Sequence, residues 1–407
     1  MATNNHSLFS VFGIEIEYML VNKTTLSIQP IADEVIKSIS GAYTNEIDRG
    51  NIAINNELAL HVLELKTNGP VKTLKGLDLL FADEVKEINN TLETFSAQLM
   101  PTGMHPLLKP ETNMKLWPHG NKDIYHAYHK IFNCQGHGWT NLQSVHINLP
   151  FADDEEFVKL HSAIRLLMPL IPALIASTPL KEGKSGTSLS TRLTHYEQNQ
   201  KKIPIITGSV IPEFIPSTEA YHETILKPMY HKISEYDEQG VLQEEWLNSR
   251  GAIARFDRSA IEIRIVDSQE SPLADIAVVS AIVQVLKHLV ATSFEFYQNP
   301  ISHLELKKIY DYVLYAKEDA PLAFTDYLNQ LGIEHSNPTI KSVWEKLIEQ
   351  ACGDIDIRYQ NVLENIISNG SLAKRILTKL SDSYHEESIK DVYQQLCECL
   401  AANQMFK

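Results

Sequence analysis

The sequence predicts an α+β fold, with an antiparallel sheet that has one polar, metal-lined face and helices packed on the other. In three segments, 11–21, 142–149 and 260–271, apolar and polar residues alternate, and this two-residue period predicts strands with two different faces. Two further segments predict long helices that can cover one face of a sheet: 73–100, where apolar residues recur at three- and four-residue steps, and 272–297.

The remaining elements connect these segments. In chain order we expect a helix over 30–39, paired strands within 52–67, a strand and turn over 100–108, a buried helix or helix pair over 153–177, a polar functional loop over 178–202 and helices after residue 300. This order predicts a first domain over 1–300 and a helical C-terminal part over 301–407 that packs on it.

Composition and charge narrow the class of protein. Lys plus Arg total 36 and Asp plus Glu total 51, so the net charge is −15, which argues against a nucleic-acid partner because phosphate backbones bind basic surfaces. The longest apolar run, 166–176, is too short to span a bilayer and contains two prolines. The N-terminus lacks the pattern of a signal peptide, and the four cysteines have no metal-binding spacing. We therefore expect a cytoplasmic protein that does not bind a membrane.

The first predicted strand carries two carboxylates where a sheet usually buries hydrocarbon. In "FGIEIEYML" (12–20), Glu15 and Glu17 share one face, while Ile14, Ile16 and Tyr18 share the other. A strand with a solvated face would explain this pair by itself.

The same alternation recurs in three other segments. Their polar residues are Glu57 and Glu64 in "ELALHVLELKT", Ser144, His146 and Asn148 in "SVHIN", and Glu262 and Arg264 in "AIEIRIVD". Each segment also has an ordinary explanation, such as a hydrogen-bonded core histidine or a surface ion pair that contributes little. The recurrence favours polar faces that line one side of a single sheet.

Carboxylates that converge on one face need cations, because like charges raise each other's pKa. Divalent ions held by glutamate oxygens satisfy this need, and Mg²⁺ is usually completed by water and substrate phosphates. The arginine fork binds two oxygens at once and suits phosphate or carboxylate groups. Four cations are candidates for such contacts: Lys184, Arg192, Arg255 and Arg264.

Two other groups of residues are of types that can serve in catalysis or metal binding. Cys134 in "NCQGHGW" has no base assigned beside it and is interpreted as a structural thiol. His119, His126 and His129 lie near helical spacing within 117–132, and we interpret that segment as a loop and helix at the edge of a substrate pocket, in preference to a zinc site.

The motifs "GIEIEYML", "MHP", "VHIN", "LIASTP…G…STR" and "AIEIRIVD", in this order over about 11–290, resemble glutamate–cysteine ligase family 2. The resemblance implies a glutamine-synthetase-like catalytic domain, an ATP- and Mg²⁺-dependent carboxylate–amine ligase, and a role in glutathione biosynthesis. The chain shows neither GxxxxGK[ST] nor GxGxxG after a strand, so those nucleotide-binding folds do not compete.

The resemblance also implies roles for individual residues. The implied metal ligands are Glu15, Glu17, Glu57, Glu64, His146 and Glu262; the implied phosphate or nucleotide contacts are Arg192, Arg264 and His146, with Lys184 as a further candidate. Glu57 and Glu64 are seven residues apart, so a straight strand would point them to opposite faces and a bulge or turn is required. Arg192 and Arg264 are the predicted catalytic residues.

This chain departs from the family pattern around His146. Many relatives have a histidine at the position of Ser144 and a glycine at that of Asn148. The predicted reaction joins a carboxylate, the γ-carboxylate of glutamate, to an amine, and the departures leave open whether cysteine or another amino acid supplies it. The alternative function is a metal-dependent amide hydrolase that uses the same carboxylates without ATP. The C-terminal helices are candidates for a lid or for the interface of a homo-oligomer.

Overall fold

An eight-stranded antiparallel sheet organises the computed structural model, which describes residues 6–292, 295–334 and 337–407. Its order is β2-β3-β4-β1-β6-β10-β9, with β5 paired to the end of β1, and β7 and β8 form a separate hairpin. The strands are β1 (Gly13–Asn22), β2 (Glu46–Asp48), β3 (Ile52–Asn56), β4 (Val62–Thr67), β5 (Ala97–Met100), β6 (Ser144–Pro150), β7 (Leu180–Lys181), β8 (Lys184–Ser185), β9 (Ala252–Arg255) and β10 (Ala260–Asp267).

Helices make up most of the rest of the described chain. They are α1 (Ala32–Ser40), α2 (Leu77–Leu92), α3 (Pro110–Asn113), α4 (Lys122–Phe132), α5 (His137–Thr140), α6 (Asp154–Leu167), α7 (Ile171–Ile175), α8 (Thr191–Tyr196), α9 (Thr218–Tyr221), α10 (Lys227–Ser234), α11 (Pro272–Thr292), α12 (Glu295–Gln298), α13 (His303–Tyr315), α14 (Thr325–Gln330), α15 (Ile340–Ala351), α16 (Ile357–Asn369), α17 (Leu372–Leu380) and α18 (Glu386–Ala402).

The sheet has the two different faces that the alternation predicts. The isoleucines of β1, β6 and β10 that share one face, such as Ile14, Ile147 and Ile263, are fully buried in the main hydrophobic core. Helices α2, α6 and α11 supply further apolar side chains to this core, and α11 contacts both α2 and α6. The glutamates therefore lie on the opposite face, and the predicted α+β architecture is confirmed.

Two predicted elements are wrong at their boundaries. The helix predicted over 73–100 ends at Leu92, and residues 97–100 form β5, which pairs with β1. Ser96 has a left-handed backbone (φ 53°) between the two, so the chain turns there although the apolar spacing continues. The strand predicted over 100–108 is absent from the described structure, in which β5 ends at Met100.

The C-terminal helices cover the far end of the polar sheet face. Met19 and Met100 pack in a second apolar cluster with Leu372 of α17 and Val392 and Leu396 of α18. The main core also includes side chains of α13, α15 and α16, which follow residue 300. A domain boundary at residue 300 stays a prediction.

Two helical stretches, 154–175 and 272–292, are long and apolar enough in composition to cross a membrane. In their most apolar windows 83% and 72% of the residues are buried inside the protein, as in the core helices of many soluble folds. The first stretch contains the run 166–176 and consists of α6, a short 3₁₀ turn and α7. The predicted buried helix pair is confirmed.

We expect one core histidine, His161, to make the fold sensitive to acid. The ring of His161 lies between Phe157 and Tyr221, with ring centroids 5.4 and 5.9 Å away, and neither ring nitrogen has a hydrogen-bond partner among the described residues. Burial, reinforced by the charge of Arg165, lowers the pKa of His161 to about 3. Between these two pKa values, this histidine binds a proton in the unfolded chain, where its pKa is about 6.5, but not in the folded protein.

We predict that His161→Phe reduces the loss of stability in acid. Because the folded pKa of His161 is depressed, its destabilising effect is absent above about pH 6.5 and grows to about 2 kcal/mol near pH 5. Urea unfolding at these two pH values measures the difference. Exposed His231→Asn is the control and should keep the wild-type pH dependence, whereas an unchanged pH dependence in His161→Phe would contradict the prediction.

Candidate active site

The register of the sheet brings the predicted polar residues together. Glu15 lies opposite His146 of β6, and Glu17 lies opposite Glu64 of β4. Glu262 of β10 lies opposite Asn148, two residues beyond His146. Directly opposite residues in an antiparallel pair share a face. The polar faces of these strands therefore line one side of the sheet, as predicted. We call the six residues implied as metal ligands the carboxylate cluster: Glu15, Glu17, Glu57, Glu64, His146 and Glu262.

One half of the cluster is built around His146. Its Nδ1 lies 3.0 Å from Oε2 of Glu15 and 3.9 Å from Oε1 of Glu262. Asn148 donates to the other oxygen of Glu15 at 3.2 Å, and Arg258 lies 3.5 Å from it. Ligand atoms of Glu15, His146 and Glu262 lie within 4.8 Å of one another, close enough for one metal ion.

The other half is built around Glu17. Its Oε2 accepts hydrogen bonds from the backbone N–H of Ser144 at 2.7 Å and from the Ser144 hydroxyl at 3.1 Å. The hydroxyl also lies 3.0 Å from Nε2 of His146 and so links the two halves. Ligand atoms of Glu17, Glu64 and His146 again lie within 4.8 Å of one another. Ser144 thus orients both a carboxylate and the histidine.

Glu57 reaches the same region from a turn. It follows the last residue of β3, and the chain reverses before β4 begins at Val62, which supplies the turn that the seven-residue spacing requires. Glu57 lines a cavity together with Glu17. It is not a member of either group of ligand atoms found among the described residues.

The electrostatics of the cluster indicate a missing positive charge. Burial and the charge of Glu17 raise the pKa of Glu57 to about 8. Burial and the charges of Glu15, Glu57 and Glu17 raise the pKa of Glu64 well above its usual value. Burial is the largest influence on Glu15 and His146 and opposes charge on both, but their mutual hydrogen bond and the opposite charges around them together exceed it. The pKa of Glu15 is therefore lowered to about 2, and that of His146 is raised. An oxygen-rich site in which Glu57 and Glu64 resist ionisation fits a hard divalent cation such as Mg²⁺.

Arginines border the cluster on the β10 side. Nε of Arg264 lies 2.8 Å from Oε1 of Glu262, and Arg255 lies 3.0 Å from the other oxygen of the same carboxylate. Arg192, at the start of α8, lies 3.3 Å from buried Asp267 and donates to the carbonyl of Arg264 at 3.0 Å. The loop predicted over 178–202 therefore delivers Arg192 to the sheet, but through a helix and a hairpin.

Lys184 occupies a different place. It is exposed on β8 and is not among the residues that line the cavity beside the cluster. Arg192 and Arg264 do line that cavity, so the structure does not group Lys184 with the other predicted phosphate contacts. Its assignment as a nucleotide contact stays a prediction without geometric support.

The remaining candidates from the sequence, Cys134 and the histidines of 117–132, have surroundings that suit structural residues. Cys134 is buried and free, and burial raises the pKa of its thiol to about 12, which suits a structural residue. His119 contacts Asp33, and His129 accepts a hydrogen bond from the backbone of Cys134. None of the three histidines belongs to a group of potential metal ligands within the described chain. Helix α4, which follows His119, does edge the cavity, as expected.

A cavity of about 380 Å³ opens on the Glu17 side of the cluster. Its polar end is formed by Glu17, Glu57, His146, Arg192 and Arg264. Its outer wall is aromatic and comprises Tyr125 and Tyr128 of α4, Trp139 of α5, Tyr196 of α8 and Trp246. We call it the aromatic cavity. The sequence prediction missed these rings because they come from four separate segments and no local pattern joins them.

A second cavity, of about 320 Å³, opens on the Glu15 side. It is lined by Glu15 and Asn148, by the cations Lys66 and Arg258, and by apolar residues that include Ile14. The carboxylate cluster therefore lies between two openings of different chemistry.

Comparisons with known proteins agree with this architecture. A crystal structure of glutamate–cysteine ligase from Francisella tularensis in complex with AMP superposes with a TM-score of 0.65 at 14% sequence identity, over 96% of this chain and 89% of that chain. At this identity the likeness establishes a shared fold. An uncharacterised protein of Archaeoglobus fulgidus is 34% identical over 396 residues, which cover 97% of this chain and all of that protein.

The model of one protein family matches nearly the whole chain. This family is described as glutamate–cysteine ligase family 2, and the match covers residues 11–395, beyond the 11–290 region that carries the motifs. The chain therefore belongs to glutamate–cysteine ligase family 2 and is a carboxylate–amine ligase.

Proposed function

We propose that the protein is an ATP- and Mg²⁺-dependent ligase that joins the γ-carboxylate of glutamate to an amine through an acyl phosphate. The observation that carries the proposal is the pair of ligand groups that share His146, between two cavities on one sheet face. Such a placement allows a nucleotide and a second substrate to meet at the same cations from opposite sides.

The two openings suit different substrates. The second cavity offers the cations Lys66 and Arg258 beside Glu15, so it suits the polyphosphate of ATP. The aromatic cavity holds Arg192 and Arg264 at its inner end, and these suit the carboxylate of the acid substrate and the transferring phosphoryl group. This division leaves the γ-phosphorus close to the carboxylate cluster.

Mg²⁺ would be held by Glu15 and Glu262 or by Glu17 and Glu64, with His146 able to serve one of the two groups at a time, and would neutralise phosphate charge during the transfer. The chain itself orients these ligands: Ser144 fixes Glu17, Asn148 fixes Glu15, and Arg255 fixes Glu262. Glu57, at the border of the aromatic cavity, completes the acidic wall. The positions are held by hydrogen bonds before any substrate arrives.

The proposed reaction has two steps. A carboxylate oxygen of glutamate attacks the γ-phosphorus, the bond from phosphorus to the β-phosphate oxygen breaks, and ADP leaves. The nitrogen of the amine then attacks the carbonyl carbon of the acyl phosphate, and the carbon–oxygen bond breaks to release inorganic phosphate. Activation is needed because a free carboxylate is a poor electrophile.

The rival function is a metal-dependent amide hydrolase that uses the same carboxylates. Membership of a ligase family favours the ligase, and so does the cavity with Lys66 and Arg258, for which a hydrolase has no evident use. A cytoplasmic location, a role in glutathione biosynthesis and a homo-oligomeric state stay predictions.

We predict that wild-type protein releases ADP from Mg·ATP only when both an acid and an amine are present. A coupled ADP assay that screens amino acids against amines measures this dependence. Glu15→Gln should lose nearly all turnover, because it removes a ligand from one group and the anionic partner of His146. Full turnover in Glu15→Gln, or amide hydrolysis without ATP in the wild type, would contradict the proposed function.

We also predict that Mg²⁺ stabilises the folded protein through the cluster. An ion that binds only the folded state raises Tm, and Glu64→Gln should reduce that gain because one crowded carboxylate is gone. In EDTA the same variant should melt above the wild type. The neutral amide avoids the free-energy cost that burial and neighbouring like charges impose on a carboxylate at position 64. Thermal melts near pH 8 with Mg²⁺ or EDTA measure both effects.

The matched control for these melts is Glu235→Gln on the exposed surface, which should leave the difference between Mg²⁺ and EDTA unchanged. A wild-type Tm that does not respond to Mg²⁺ would remove the support for a metal site.

A further inference from the structure

Apart from Arg192, Arg264 and His146, no cationic side chain among the described residues lines the aromatic cavity. The cations that line the cavity, Arg192, Arg264 and His146, are all tied to groups at its inner end. Apart from these cations, Glu17 and Glu57, the lining consists of aromatic and aliphatic side chains, glycine, serine and side-chain amides. The Cζ atom of Arg192 lies 5.8 Å from the ring centroid of Tyr196, so a ligand carboxylate among the rings would have only these already paired cations as counter-charges.

The two arginines already have carboxylate partners. Arg264 pairs with Glu262, which is 2% exposed, and Arg192 pairs with Asp267, which is fully buried. Two anionic groups of the proposed reaction, the acid substrate and the transferring phosphoryl group, would compete for the remaining donors. A carboxylate on the amine substrate, in addition to that of the acid, would lose its hydration without gaining a partner. This desolvation costs a large amount of free energy.

The aromatic wall is suited to a cationic and apolar ligand. Tyr128 packs between Trp139 and Trp246, with ring centroids 5.0 and 5.9 Å away, and Tyr125 lies on the same helix one turn earlier. Ring faces attract ammonium groups and bury hydrocarbon. Glu57, at the border with the cluster, adds a carboxyl oxygen that can accept a hydrogen bond from an ammonium group.

We propose that the acceptor is a primary amine that carries an aromatic or long aliphatic group and no carboxylate. This inference rests on the proposed ligase function and narrows the acceptor expected from the sequence, which was cysteine or another amino acid. The adenine of ATP is the other flat group that could contact the rings. In the proposed function Lys66 and Arg258 bind the polyphosphate in the second cavity, which leaves the aromatic cavity to the amine.

The balance of the acceptor step is simple. At neutral pH the substrates are a carboxylate, an ammonium and ATP, and the products are an amide, ADP, inorganic phosphate and one proton. The nitrogen–carbon bond forms as the carbon–oxygen bond to phosphate breaks, and phosphate leaves with the electron pair. Of the three ammonium protons, one stays on the amide, one is carried by the phosphate and one enters the solvent.

The test compares amines with the amino acids from which they differ by one carboxylate. ADP release by the wild-type protein is measured with glutamate, Mg·ATP and one acceptor at a time. The acceptors form three matched pairs: 2-phenylethylamine against phenylalanine, tyramine against tyrosine, and cysteamine against cysteine. We expect kcat/KM for 2-phenylethylamine and tyramine to exceed that of each matched amino acid, and that of cysteine, by about tenfold or more.

Variants of the wall locate the amine. Trp246→Ala should raise KM for the aromatic amine by about tenfold and leave KM for ATP within about twofold, whereas Trp246→Phe should retain most of the affinity. A rise in KM for ATP instead would place adenine against the rings and overturn the inference.

The failures are distinguishable from one another. If cysteine or another amino acid is the better acceptor, the inference is wrong while the proposed ligase function stands. If no acid and amine pair, cysteine and glutamate included, releases ADP, the proposed function itself is wrong and the inference falls with it.

Discussion

The crowding of ionisable groups on one face of the sheet is the constraint on which the rest of the structure depends. Glu17 and Glu64 lie directly opposite each other, an arrangement that destabilises a sheet when both residues are charged and unpaired. Three further carboxylates lie beside them. In the metal-free state the raised pKa values of Glu57 and Glu64, together with the charges of His146 and the bordering arginines, limit this repulsion. A bound cation would relieve it more completely.

The fold holds these groups in place by covering the other face. Isoleucines on β1, β6 and β10 pack against the helical layer, so the strands cannot shift register by one residue without exchanging apolar and charged faces. At the far end of the polar face, α17 and α18 bury Met19, which confines the open part of the face to the cluster and its two cavities. Stability and site geometry thus rest on the same strand pairing.

The part of the site that follows from strand alternation could be predicted from the sequence, and the part that follows from tertiary folding could not. Glu15, Glu17, His146 and Glu262 repeat a local pattern, and antiparallel pairing brings such patterns to one face. The break at Ser96 was hidden because the apolar spacing of α2 continues into β5. Lys184 and Arg192 are eight positions apart in one polar loop, and only the hairpin and α8 separate their positions in space.

The aromatic wall shows the same limit more strongly. Tyr128, Trp139, Tyr196 and Trp246 belong to different elements, and each by itself is an ordinary buried or half-buried ring. Only the folded chain shows that they line one cavity together with the charged residues Glu17, Glu57, Arg192 and Arg264. The wall therefore adds substrate information that the family motifs do not contain, since those motifs describe the cluster.

The most direct test of the account is a crystal structure of the protein with Mn²⁺ and a non-hydrolysable ATP analogue. We predict anomalous peaks between Glu15, His146 and Glu262 and between Glu17, Glu64 and His146, with the triphosphate approaching from the side of Lys66 and Arg258. Ions bound elsewhere, or a nucleotide base stacked on Trp246 in the aromatic cavity, would contradict the account.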